Sequence, residues 1–112
     1  MTWAMATSIE NETAYVGWST NNHVCALDIT NGSEKWKYVA KGVVYTTPLV
    51  LDKEVIFGSA DENIYALDKI TGQVRWTYQL GAPVFSSPTA SDNIIYVGCD
   101  DGYLYAIEEG EI

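Results

Sequence analysis

Short apolar segments, each ended by turn-forming residues, follow one another along the whole chain, and their spacing predicts strands rather than helices. In the middle of the chain they cover residues 43 to 51, 54 to 60, 63 to 68 and 73 to 80, with turns at Asp52-Lys53, Asp61-Glu62 and Lys69-Ile70-Thr71-Gly72. Val55-Ile56-Phe57 and Ile94-Ile95-Tyr96-Val97 are apolar on both faces, as in a strand with sheet on either side and further sheets above and below. They are expected in the interior. Lys35-Trp36-Lys37-Tyr38 and Arg75-Trp76-Thr77-Tyr78 alternate polar with aromatic residues, which predicts one wet face and one packed face at an outer rim. Pro48 and Pro88 lack a ladder donor, so Thr46-Thr47-Pro48 and Ser86-Ser87-Pro88 are expected on an inner edge strand.

The pattern recurs every forty residues. Ala26-Leu27-Asp28, Ala66-Leu67-Asp68 and Ala106-Ile107-Glu108 stand forty positions apart, as do Trp36 and Trp76, Gly32 and Gly72, Pro48 and Pro88, and Gly58 and Gly98. The first repeat carries one extra residue between Gly17 and Asp28, and the third stops after its third segment. A period of this size marks a repeat architecture, in which one supersecondary unit buries its apolar face only by stacking on its neighbours. Sheets of four antiparallel strands, ordered from inner to outer edge and repeated without a linker, are the blades of a β-propeller. The expected fold is therefore all-β: residues 1–112 form a single partial propeller, with blades at about 1–40, 41–80 and 81–112, the last lacking its outer strand. A closed ring needs about four to eight blades, so three leave the ring open.

Composition agrees with a β-rich globule: 47% of residues are hydrophobic and 19% charged, with eight Tyr and four Trp. Fifteen acidic against six basic side chains give a net charge of −9, which repels phosphate backbones and argues against a nucleic-acid partner. No apolar run is long enough to span a bilayer as a helix. The opening Met1-Thr2-Trp3-Ala4-Met5 shows neither a basic region nor a long apolar stretch, so no secretory leader is visible there and the compartment is left open.

Candidate chemistry is sparse. Cys25 and Cys99 lie 74 positions apart on strand-like positions and read as buried free thiols. His23, in Asn22-His23-Val24, reads as a solvated loop residue without a second ligand nearby. Asp61-Glu62 and Asp100-Asp101-Gly102 suggest calcium by charge, but tight turns without alternating ligand spacing favour turn chemistry. Thr46, Thr47, Ser86 and Ser87 have no His or Lys to activate them as nucleophiles. No catalytic, cofactor-binding or metal-binding residue is assigned.

The stretch Ala66-x-Asp68-x-x-Thr71-Gly72-x-x-x-Trp76 resembles the tryptophan-docking motif of the quinoprotein, or PQQ-like, propeller repeat. The first repeat is similar at Ala26, Asp28, Gly32 and Trp36, with Asn31 in place of Thr. The third begins at Ala106 and departs, with Glu108 for Asp and Gly110 two positions early. No Asp follows either Trp, which sets the repeat apart from a WD40 propeller. The resemblance implies that each motif Trp packs on the glycine turn of an adjacent blade as a structural clamp. It also implies that quinoprotein enzymes of this fold hold their quinone through an adjacent cysteine pair, calcium ligands and a catalytic Asp, and no Cys-Cys pair occurs here. The expected function is a non-catalytic propeller section, a protein-interaction scaffold or sensor module akin to propeller lipoproteins that assist outer-membrane protein assembly. The alternative is a section of a PQQ-dependent alcohol or sugar dehydrogenase whose cofactor residues lie elsewhere. Related propellers are often periplasmic. The expected partners are further blades of a longer chain or an identical copy, with Trp3 and Met5 at one open face.

Overall fold

A computed structural model describes residues 5–18 and 22–108. Within them eleven strands form three antiparallel sheets. The first sheet runs β1 (Met5–Glu10), β2 (Thr13–Trp18), β3 (His23–Asp28), β4 (Glu34–Val39). The second runs β5 (Leu49–Val50), β6 (Glu54–Gly58), β7 (Asn63–Asp68), β8 (Val74–Gln79), and the third β9 (Thr89–Ser91), β10 (Ile94–Gly98), β11 (Leu104–Glu108). Each is a simple meander, so the chain finishes one sheet before starting the next. This is the partial propeller of two four-stranded blades and one three-stranded blade.

Strand alternation assigns each apolar set to one gap between sheets. Tyr15, Val24 and Ala26 of the first sheet meet Val55, Phe57, Tyr65 and Leu67 of the second, where Phe57 and Tyr65 stack with centroids 5.0 Å apart. Ile56, Ile64 and Ala66 on the opposite face of the second sheet meet Ile95, Val97 and Ile107 of the third. The middle strand β6 is buried along its whole length, as its two-faced apolar pattern requires. The face of the third sheet that points away from this core lacks such cover: Leu104 is 71% exposed, whereas Ile64 at the same repeat position is fully buried.

Four details differ from the sequence reading. The inner strand expected over 43 to 51 shrinks to Leu49–Val50, because residues 43–47 bond to neighbouring segments instead of to a ladder. His23 is the first residue of β3, paired with Trp18 and Val39, and not a solvated loop residue. Cys25 is buried, but Cys99 is half-buried, with its Sγ 3.2 Å from the carbonyl of Ala82. The strand β10, expected to be packed on both faces, is buried at Ile95 and Val97 but only half-buried at Ile94 and Tyr96, because no sheet covers its far face among the described residues. Arg75 stays exposed as expected, its Nε 2.8 Å from the buried carboxylate of Glu54. Trp3, Gly110 and the side chain of Met5 lie outside the described residues.

Candidate functional site

Local turn chemistry builds the contacts between sheets. After β7 the chain reverses through Asp68 to Gly72: the Gly72 amide donates to the Asp68 carbonyl at 2.8 Å and the Asp68 amide to the Gln73 carbonyl at 2.7 Å. The Asp68 carboxylate accepts the amides of Ile70 and Thr71 at 2.8 and 3.0 Å, which holds its pKa below the ordinary value. The Asp28 turn is built alike, its Oδ1 accepting from the Thr30 amide and hydroxyl, and its pKa is likewise lowered. Asn31 takes over the role of Thr71: its Oδ1 accepts the Ser33 amide at 2.8 Å, where Thr71 Oγ1 accepts that of Gln73 at 3.2 Å.

Trp36 lies against the Gly72 turn. The indole Nε1 donates to the Lys69 carbonyl at 3.0 Å, and the ring covers Gly72 so closely that a Cβ there would stand 2.6 Å from Trp36 Cδ2. Gly72 has φ +78, a left-handed conformation natural to glycine. In the ladder Trp36 opposes Ala26, and Trp76 opposes Ala66, with a register shift just after each alanine. The small residue leaves room for the indole. Trp36 is 8% exposed, whereas Trp76 is only half-buried against the second core. The matching turn of the third repeat falls outside the described residues, and Ala106, at the position of Ala66, is exposed. Gly32, φ +77, has nothing within 4 Å of its Cβ direction. One docking contact is therefore complete within the described residues, and one docking turn is bare. Lys69 adds an ion pair across the same seam, its Nζ 2.6 Å from Glu10 Oε1.

A second seam runs along the inner edge. Ser8 Oγ donates to the Pro48 carbonyl at 2.6 Å, and the Thr47 amide to Ser87 Oγ at 2.7 Å. Thr46 is fully buried, its Oγ1 accepting the Gly58 amide at 2.9 Å. Ser8 and Ser87 thus link neighbouring sheets, while Thr46 fastens the entering segment to its own sheet.

The acidic turns have a related purpose that the sequence reading missed. The Asp61 carboxylate accepts the Tyr65 hydroxyl, the Asn63 amide at 3.0 Å and the Lys41 amide at 3.3 Å, so it ties its own hairpin to the segment entering the sheet. Asp101 accepts the Tyr105 hydroxyl and the Tyr103 amide in the same manner. The signal was present as Asp-x-x-x-Tyr at forty-residue spacing, Asp61 with Tyr65 and Asp101 with Tyr105.

These bonds set a pH response. Asp28, Asp68 and Asp101 have folded pKa values below the ordinary 3.8, the last chiefly through the Tyr105 hydroxyl, so their contribution is present above that value and is lost as pH falls through the folded pKa. Tyr15, Tyr38 and Tyr65 are raised above 10.0, chiefly by burial, so the neutral rings favour the fold until pH rises past that value. The melting temperature is expected to fall on both sides, with Asp68→Asn flattening the acid limb and Tyr65→Phe the alkaline one. Identical slopes in variant and parent across a titration of thermal midpoints would refute these assignments.

Sheets stacked through a docked indole and inner-edge hydroxyls define a section of a β-propeller. The family model described as outer membrane protein assembly factor BamB matches residues 1–111, and the chain belongs to this family of PQQ-like propeller repeat proteins. The crystal structure of BamB from Moraxella catarrhalis superposes with a TM-score of 0.80 at 30% identity, over 92% of this chain and 32% of that one. The computationally designed Ika4 protein matches at TM-score 0.81 and 22% identity, over 94% of this chain and 65% of that one. A europium-containing methanol dehydrogenase matches at TM-score 0.75 and 20% identity, over 90% and 20% respectively. These last two share the fold alone. The chain spans about a third of the length of the BamB structure. No curated protein matches it. No helix among the described residues is long and apolar enough to cross a membrane.

Proposed function

We propose that residues 1–112 act as one partial propeller, with blades at about 1–40, 41–80 and 81–112, serving as a non-catalytic protein-interaction section of an extracytoplasmic assembly factor. The carrying observation is where the polar side chains are spent: Ser87 bonds to backbone across a seam, and Thr46, Asp61 and Asp101 bond to backbone or tyrosine within their own blades. Among the described residues these groups are engaged in structural bonds, and the chemistry supports holding a surface rather than turning over a substrate. The family match to an outer membrane protein assembly factor supports a role in binding other proteins outside the cytoplasm. The exposed face at Leu104 takes a further blade, or an identical copy, as its cover. Ala26, Asp28, Gly32, Trp36, Ala66, Asp68, Thr71, Gly72, Trp76 and Ala106 are structural docking residues in this reading.

The competing reading, a section of a quinone-dependent dehydrogenase, is tested directly. Purified protein, supplied with pyrroloquinoline quinone and calcium, is expected neither to bind the quinone nor to reduce an acceptor dye with alcohols or aldoses. Stoichiometric quinone binding at micromolar concentration would overturn the scaffold reading.

A further inference from the structure

Tyr45 and Phe85 stand forty positions apart, with ring centroids 5.4 Å from each other, yet they remain 48% and 43% exposed. Tyr45 enters the middle blade, which has a described blade on either side, and Phe85 enters the third. The backbone that carries the rings is fixed. Val44, Thr46 and Val84 beside them are almost fully buried, and the segments are bonded through Ala60 N to Val43 O at 2.9 Å, Val84 N to Ser59 O at 3.0 Å and Thr47 N to Ser87 Oγ at 2.7 Å. Two large apolar rings are thus presented to water on a rigid ledge, where binding costs little further ordering.

The turns that bond to this ledge are acidic. Asp61 accepts the Lys41 amide, and the Asp100 amide donates to the Pro83 carbonyl at 3.2 Å. Asp61, Glu62, Asp100 and Asp101 therefore gather at the end of the blades that carries the rings, where Lys41 is the neighbouring lysine among the described residues. The whole chain adds a net charge of −9. A guanidinium is suited to both elements: its plane stacks on aromatic faces, and its donors meet carboxylates.

We propose that this ledge docks an extended, arginine-bearing segment of a partner protein, the guanidinium and a neighbouring apolar side chain lying on Tyr45 and Phe85. The inference rests on the scaffold reading and names the class of partner. Hydrophobic contact supplies the anchor, and the acidic turns supply orientation and a faster encounter.

The test uses a fluorescently labelled short peptide alternating arginine with leucine, followed by anisotropy. The parent protein is expected to bind it, and the Tyr45→Ser, Phe85→Ser double variant to bind at least about tenfold more weakly. Both rings are substantially exposed, so the variant should keep its circular dichroism spectrum and melting temperature. Asp100→Asn should weaken binding and lessen its dependence on salt. A matched peptide with glutamate in place of arginine should not bind. Equal affinity for parent and double variant, equal binding of the glutamate peptide, or no binding of the arginine peptide to the parent would each overturn the proposal. Dye reduction with bound quinone would instead remove the scaffold reading itself, so the two failures are separable.

Discussion

Replacing Trp36 by alanine is expected to cost about 3–5 kcal/mol of folding stability, the range for deleting a packed aromatic side chain. The indole is 8% exposed, lies on the Gly72 turn, and donates to the Lys69 carbonyl at 3.0 Å, so its removal opens a cavity and strands an acceptor together. Tyr15, whose ring centroid is 6.1 Å from the indole, loses a neighbour as well. Trp76→Ala should cost less, because Trp76 is only half-buried among the described residues. Urea unfolding of both variants against the parent measures the difference. Equal midpoints for Trp36→Ala and the parent would remove the docking contact as a source of stability.

The second large effect separates backbone strain from docking. Gly72 and Gly32 occupy equivalent turns with nearly the same φ, +78 and +77, but among the described residues only Gly72 is covered by an indole. Alanine at either site incurs the left-handed penalty of roughly 1–2 kcal/mol. At Gly72 the added methyl also meets Trp36 carbons at 2.6 to 2.8 Å, and such overpacking typically costs a further 1–3 kcal/mol or so. Gly72→Ala should therefore lose more stability than Gly32→Ala, and the excess should vanish when both changes are made in a Trp36→Ala background. A matching loss at the two glycines in the parent background would show that the indole does not press on the turn.

Period and face pattern carried most of the fold into the sequence. The forty-residue echo located three sheets, and two-faced apolarity put β6 inside, whereas β10 lies in the middle of its sheet but is buried on one face only. What stayed hidden was pairing across sheets. Nothing in Thr46 or Ser87 tells which backbone group they serve, so 43 to 48 looked like strand although Val43 and Thr46 bond to the end of β6 in their own blade and Thr47 to Ser87 of the next. His23 looked like loop because it follows a turn-forming Asn22, yet β3 begins with it and its partner Val39 closes the ladder. The acidic turns were read correctly as turns, but their tyrosines were overlooked, since Tyr65 and Tyr105 also satisfy the apolar pattern. That a Trp lies on a neighbouring glycine turn came from the family resemblance, and the structure supplies the atoms of one such contact. The exposed pair Tyr45 and Phe85 left no mark in the strand pattern, because their segment forms no ladder.

The inner seam has a bearing on ancestry. Ser8 with Pro48, and Thr47 with Ser87, are each joined over a chain separation of forty residues, the length of the repeat itself. A tandem copy or loss of forty codons therefore keeps corresponding inner-edge positions facing each other across the new junction, provided the breakpoints share a phase. Such a chain can lengthen or shorten by whole blades with its inner-edge backbone contacts kept in phase.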